Sequence, residues 1–408
     1  MATVHPLPAL RPRPEHAARV AAVPYDVVDT AEARALAAGE PRSFLHVTRP
    51  EIDLPEGTDP HAPEVYRQGA AALAARIDDG TLVRDPDPAL YVYRLTAGDH
   101  VQTGVMGRCA VDEYDADRIK KHEKTRPDKE DDRTRHLLAL GCHPEPVFLT
   151  YRPEEEIDRW VAEATETEDP LYDFVAADGV GHTVWRVPYG GGIDEAFAEV
   201  GALYVADGHH RSASASRARA ARVQDDPSDD GTAAYNFFLA VVFPADQVRI
   251  LPYNRVVRDL GERSAEELLA RLREDWEVTE GAAPEPAARG TFSMYLDGRW
   301  YGLAAPRRWV EADDSVESLD AAILQARVLE PLLGIGDPRT SERIDFVGGI
   351  RGTGELVRRV DVGGGVAFSL HPVSVEELMA VADAGRVLPP KSTWFEPKLR
   401  SGLVVHEF

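Results

Sequence analysis

The stretch Tyr204-Val205-Ala206-Asp207-Gly208-His209-His210-Arg211-Ser212, continued by Ala213 to Arg219, constrains the fold of this chain most. Its apolar lead-in reads as a short strand, Asp-Gly is turn chemistry, and the Ala- and Arg-rich continuation reads as a helix. A strand that turns sharply into a helix aims the helix's first amides at whatever occupies the turn. Two imidazoles, a carboxylate and a guanidinium belong to the same turn, so the junction is an anion site with a candidate base or metal ligand beside it.

With 408 residues the chain is long enough for two or three domains. No apolar run reaches the length of a membrane span, and the start, Met1-Ala2-Thr3-Val4-His5-Pro6, lacks the basic and apolar regions of a secretory signal. Cys109 and Cys142 are the only cysteines, which suits a cytoplasmic setting and excludes a disulfide framework or a cysteine-built zinc site. The formal charge of -24 argues against a nucleic-acid partner, and no membrane partner is expected. Lys and Arg together number 46, yet lysine stands only at 120, 121, 124, 129, 391 and 398. A chain that uses Arg almost everywhere keeps its compact, flexible ammonium groups in two short stretches, as phosphate binding would require.

Taken in order, Val23-Pro24-Tyr25-Asp26 is a rigid entry to a turn, with Asp26 a candidate cap for a helix over residues 30–38. Residues 43–47 read as a strand and 65–79 as a helix stopped by Gly80. Strands over 89–95 and 101–111 form an antiparallel pair around Ala97-Gly98-Asp99. The first lysine segment, Ile119 to Lys129, precedes a helical stretch opened by Asp132-Arg133. A short strand at 146–151 and an acidic helix at 153–168 come next. Further strands are expected at 181–188, 235–243 and 248–257. Helices are expected at 193–200, at 264–276 with Ser264 and Glu267 as a capping box, at 319–333 and at 374–384. A hairpin turns at Asp297-Gly298, while Gly190-Gly191-Gly192 and Gly349 to Gly354 read as loop and turn. The closing segment, Pro389 to Leu399, is too proline-rich for a helix. The expected division is 1–110, 111–258 and 259–408, in a mixed α/β (α+β) architecture.

No Gly-Lys-Ser/Thr phosphate loop occurs. Donors from His209, His210 and Arg211 at a helix start suit a phosphoryl group, and two His with a carboxylate also suit zinc or iron. His122-Glu123 lies among lysines that favour an ionised carboxylate, fit to take a hydroxyl proton or hold magnesium beside phosphates.

Four blocks carry a resemblance: Tyr25-Asp26-Val27; His122-Glu123-Lys124-Thr125 with Asp132-Arg133; Ala206 to Arg211; and Lys391-Ser392-Thr393-Trp394-Phe395 with Pro397-Lys398. Their order resembles the DUF1015 family, with departures at Val23, Asn254 and Leu388. That motif block is in turn similar to the ParB/sulfiredoxin-like superfamily and to the free serine kinase, which carries a His-Glu element followed by Asp-Gly-His-His-Arg. The resemblance implies a ParB/sulfiredoxin-like nucleotide-binding core with N- and C-terminal α/β extensions. It implies transfer of a phosphoryl group from ATP or ADP, with Mg2+, to a small amino acid, L-serine above all. Residue by residue it makes Glu123 the base, with Asp207, His209 and His210 catalytic and Glu123 and Asp207 the magnesium ligands. Gly208, Arg211, Ser212, Lys124, Thr125, Arg133, Lys391, Ser392, Thr393 and Lys398 fall to the nucleotide, and Tyr25, Asp26 and His122 to the substrate. Lys391, Ser392 and Lys398 become a lid, and a homodimer is compatible with the sequence. Two other readings stand beside it: a nucleotide-gated switch module with a protein partner, and a metal-dependent hydrolase using His209 and His210.

Overall fold

A computed structural model describes residues 3–190, 192–311 and 313–408, so Met1, Ala2 and Gly191 of the expected N-terminal start and glycine loop lie outside the described residues. The chain divides into two compact units, Met1–Val248 with Pro397–Phe408, and Arg249–Glu396. Both mix sheet and helix. Among the described residues no helix is long and apolar enough to cross a membrane.

The first unit is built on an eight-stranded mixed sheet. Its order is Ile119–Lys120, Leu203–Asp207, Val147–Tyr151, Phe237–Pro244, His100–Ala110, Ala89–Ala97, Gly181–Pro188 and Tyr172–Val175. The sheet draws strands from both sides of residue 110, so no unit boundary falls there. Val147–Tyr151 and Phe237–Pro244 are parallel neighbours and read as continuous apolar runs because both faces are covered. At one edge Leu203 pairs with Ile119 and Tyr204 with Lys120 in parallel register. That pairing sets the Asp207 turn and the His122 loop side by side, although they are far apart in sequence.

Residues 43–47 do not form the expected strand: Leu45–Thr48 is a helical turn. Phe44, Leu45, Val47 and Thr48 are all buried, and a short apolar run buried on every side carries no period by which strand and helix differ. The helix Thr30–Ala37 is capped by Asp29, in a box with Glu32, and not by Asp26. Pro127 opens the helix Pro127–Leu140, placing Asp132 and Arg133 in its second turn.

The second unit carries a six-stranded antiparallel sheet, ordered Glu277–Glu280, Arg299–Ala304, Thr291–Leu296, Val366–Leu370, Tyr253–Val257 and Ile344–Gly348. Its helices Ala265–Asp275 and Val375–Asp383 both begin with a complete Ser/Glu capping box. Gly349 to Gly354 is not a plain turn, because a helix runs over Gly352–Gly363. The helix over 320–333 widens into a π-turn at Gln325–Leu329, directly before Pro331, which cannot donate the next helical hydrogen bond.

Candidate functional site

Leu203–Asp207 is a buried strand and His209–Asp225 a helix, with Gly208 alone between them at φ 102°. That left-handed conformation favours glycine. A Cβ there would also lie 3.0 Å from the Arg211 guanidinium carbon, so glycine is needed twice. The helix follows from an Ala- and Arg-rich sequence of high propensity, and small buried residues, Ser212, Ala213, Ser214 and Ala215, let it pack closely. The Ser212 N–H donates to the Gly208 carbonyl at 3.0 Å, leaving the amides before it at the helix's positive end.

Asp207 accepts from Lys398 Nζ at 3.1 Å and faces Arg211 Nη2 at 3.6 Å. Burial alone would raise its carboxyl, but Lys398 and Arg211 outweigh that and hold it well below the usual range. Arg211 is itself buried, donates to the Pro146 carbonyl and has Asp26 and Glu145 as further neighbouring charges.

His122 and His209 meet edge to face, with ring centroids 4.3 Å apart. Burial holds His122 down to about 3, and His209 well below its ordinary value, so both rings are neutral at physiological pH. His209 Nε2 accepts from the His122 N–H at 3.4 Å, which leaves the ring proton on Nδ1, 3.8 Å from Glu123 Oε2. Glu123 is 46% exposed at its side chain, so a buried imidazole backs a carboxylate open to solvent. His210 turns elsewhere: its Nε2 accepts from the Arg126 N–H at 3.1 Å. The two adjacent imidazoles diverge, and among the described residues no three His, Cys, Asp or Glu side chains gather to hold a metal ion.

Behind the junction lies a polar core. The Tyr25 N–H donates to Glu145 at 3.0 Å, Ser401 donates to the same oxygen at 2.8 Å, and Arg133 stacks 4.2 Å above the Tyr25 ring while pairing with Asp132 at 2.7 Å. Burial raises Glu145, with Arg211 opposing. Arg133, His136, Glu145 and Arg211 line a small cavity of about 20 Å3, room for a single water. Sequence reading missed Glu145. Its signal was Pro144-Glu145-Pro146 ahead of an apolar strand, where two fixed φ angles present one carboxylate.

The remaining expected residues divide by location. Lys124 is exposed, and Thr125 donates to Glu130. Asp26 is exposed beside the Tyr25 core. Ser212 is fully buried and its hydroxyl donates to the His209 carbonyl at 3.1 Å, so it presents nothing to a ligand, contrary to its expected role. The expected lid is not one element: Lys398 belongs to the first unit, whereas Lys391, Ser392 and Thr393 belong to the second. There Ser392 donates to the Pro389 carbonyl at 2.7 Å, and Lys391, at φ 56°, lies 5.6 Å over the Tyr253 ring.

The model of the DUF1015 family, described as a protein of unknown function, matches residues 4–322. The chain belongs to the DUF1015 family. No curated protein matches this DUF1015 chain. Among solved structures it is similar to a free serine kinase in complex with AMP, at 15% identity and TM-score 0.37, over 73% of this chain and 91% of that one. A conserved hypothetical protein from Pyrococcus furiosus gives 14% identity and TM-score 0.36, over 73% and 95%. C-terminally truncated SbnI from Staphylococcus aureus gives 14% and 0.38, over 71% and 82%.

Proposed function

We propose that this DUF1015 chain is a phosphotransferase that moves a phosphoryl group from ATP or ADP to the hydroxyl of a small free amino acid, L-serine first. The observation that carries the reading is Glu123, a solvent-facing carboxylate 3.8 Å from the buried neutral His209 at a helix start. In this reading the serine hydroxyl gives its proton to Glu123 and its oxygen forms the new P–O bond. The nucleotide leaves with the electrons of the broken one. His209 is a positioning residue, since its Nδ1–H faces Glu123 Oε2 while the His122 main chain fixes its tautomer. The helix amides after Gly208 offer positive potential to the phosphates, and His210 and the exposed Lys124 are assigned to the same role.

Glu123, whose side chain is 46% exposed, would be the protein ligand for magnesium, which would supply charge neutralisation to the phosphates. Asp207 already carries Lys398 and Arg211, so its role in this reading shifts from ligand to anchor of the turn. The ParB/sulfiredoxin-like description of the core belongs to the same proposal. Tyr25, Asp26 and His122 stay assigned to the substrate side, with Tyr25 and His122 acting through the packing around Glu145 and His209.

The test incubates the full chain with L-serine, magnesium and either nucleotide and searches for O-phosphoserine by mass spectrometry. Product with one nucleotide is expected. Nucleotide binding without product from either would defeat the kinase reading.

A further inference from the structure

A buried arginine without an acidic partner marks a second site. Arg255, on the strand Tyr253–Val257, is 3% exposed, and its guanidinium meets main-chain carbonyls and lies 4.9 Å over the Phe346 ring, with no acid paired to it. It donates to Tyr253, to Lys391 at 3.0 Å and to Pro390 at 3.4 Å. An arginine has five N–H donors, and these bonds use three. The Nε–H and one Nη2–H remain, the side of the fork that grips a carboxylate in two parallel bonds. Burial lowers Arg255 to about 10, with only Tyr253 opposing, so it is still a cation at neutral pH, and a buried cation without a counter-ion is costly.

Arg255 lines a cavity of about 340 Å3 within the second unit, a volume typical of small-molecule sites. One wall is the π-turn Gln325–Leu329, an irregularity common at functional sites. Gln325 donates through Nε2 to the Ile335 and Gly336 carbonyls at 2.7 and 3.1 Å, which fixes its amide and aims Oε1 away from them. That Oε1 is buried and accepts no hydrogen bond. Leu329, Pro338, Pro389 and Pro390 supply apolar surface. Asp337 and Arg339, also at the wall, pair at 2.8 Å and cancel. The cavity therefore offers one net positive charge and an apolar body, while the enclosed Gln325 Oε1 stays out of a ligand's reach.

We propose that this cavity binds a small monocarboxylic acid with an apolar body, its carboxylate gripped by the remaining N–H donors of Arg255. A zwitterionic amino acid fits less well, because its own ammonium would leave the charge of Arg255 uncompensated. The proposal is independent of the phosphotransferase reading. It also gives the Lys391-Ser392 segment a place: the Lys391 carbonyl holds Arg255, and Ser392 ties down the Pro389 turn at the rim.

Isothermal titration calorimetry of the full chain with 3-phenylpropionate tests it, with 3-phenylpropionamide lacking the charge and L-phenylalanine carrying an ammonium as comparisons. Gly336 lines the cavity at an ordinary φ, and a Cβ there would meet nothing within 4 Å, so Gly336→Leu fills space without distorting the chain. Saturable 3-phenylpropionate binding is expected, with both comparison compounds at least about tenfold weaker because neither neutralises the buried guanidinium. Gly336→Leu should weaken binding about tenfold or more with its melting temperature unchanged, and Arg255→Met should abolish it. No saturable binding of 3-phenylpropionate, equal binding of the comparison compounds, or binding indifferent to Gly336→Leu would overturn the proposal.

Discussion

Asp207 in the first unit is met by Lys398 at 3.1 Å and Arg211 at 3.6 Å, whereas Arg255 in the second unit is set deeper and met by carbonyls and the Phe346 ring, with no acid. Both are charged groups withdrawn from water, where an isolated charge is costly. The chain supplies Asp207 with one counter-ion from its own helix start and one from the distant Lys398, and so turns it into architecture that holds a strand, a turn and a helix start together. It supplies none to Arg255. The difference separates a charge that builds a site from a charge that awaits a ligand. In the proposed reaction the functional weight in the first unit moves from Asp207 to Glu123, whose side chain is 46% exposed with a neutral imidazole behind it.

The comparison breaks most visibly on removal of each charge. Asp207→Ala leaves Lys398 and Arg211 without their carboxylate and should cost about 3–5 kcal/mol in urea denaturation. Arg255→Met orphans no acid, frees main-chain carbonyls and exchanges the guanidinium over Phe346 for a thioether, so about 1–2 kcal/mol is expected. Equal losses would mean that Asp207 is not the anchor described.

A second carboxylate sharpens the contrast. Asp320, buried in the second unit, has one oxygen on the Gly290 N–H at 2.8 Å and the other without a partner, and burial pushes it up to about 7. An unfolded aspartate titrates near pH 3.9, so between about 4 and 7 the folded chain keeps a proton that the unfolded chain has lost. Its contribution to stability therefore falls as pH rises through that window and levels off above it. Asp207, depressed, does the reverse: its contribution is present above about pH 4 and lost as pH falls toward its folded value. Asp320→Asn keeps the acceptor for Gly290, should flatten the slope between pH 4 and 7 and should stabilise the protein at pH 8 by about 1–3 kcal/mol. A melting profile unchanged by the substitution would contradict the burial account.

The smallest of these effects falls on the turn itself. Gly208→Ala combines a left-handed backbone with a contact on Arg211, and about 1–2 kcal/mol should be lost in thermal melts. A neutral result would show that the guanidinium moves aside without consequence.

The Asp207 turn could be read in the sequence because its parts are local: an apolar strand, Asp-Gly and a helix of strong propensity follow one another. Its meeting with His122 depends on a parallel pairing of distant strands, and only the motif resemblance anticipated it. Lys398 was picked out by composition, but the unit boundary after Glu396 that parts it from Lys391 leaves no mark in a proline-rich segment. The helix Gly352–Gly363 was hidden by its glycines, and the strand expected at 43–47 by a buried run without period. Arg255 sits in a plain apolar strand, so its isolation from any acid emerges only in three dimensions.

Serine-dependent nucleotide consumption by the full chain and by Glu123→Gln, followed under single-turnover conditions by 31P NMR, tests the central claim most directly. The account predicts a fall of about 10²–10⁴ in the rate of O-phosphoserine formation, with nucleotide affinity and melting temperature retained. An unchanged rate in Glu123→Gln would contradict it.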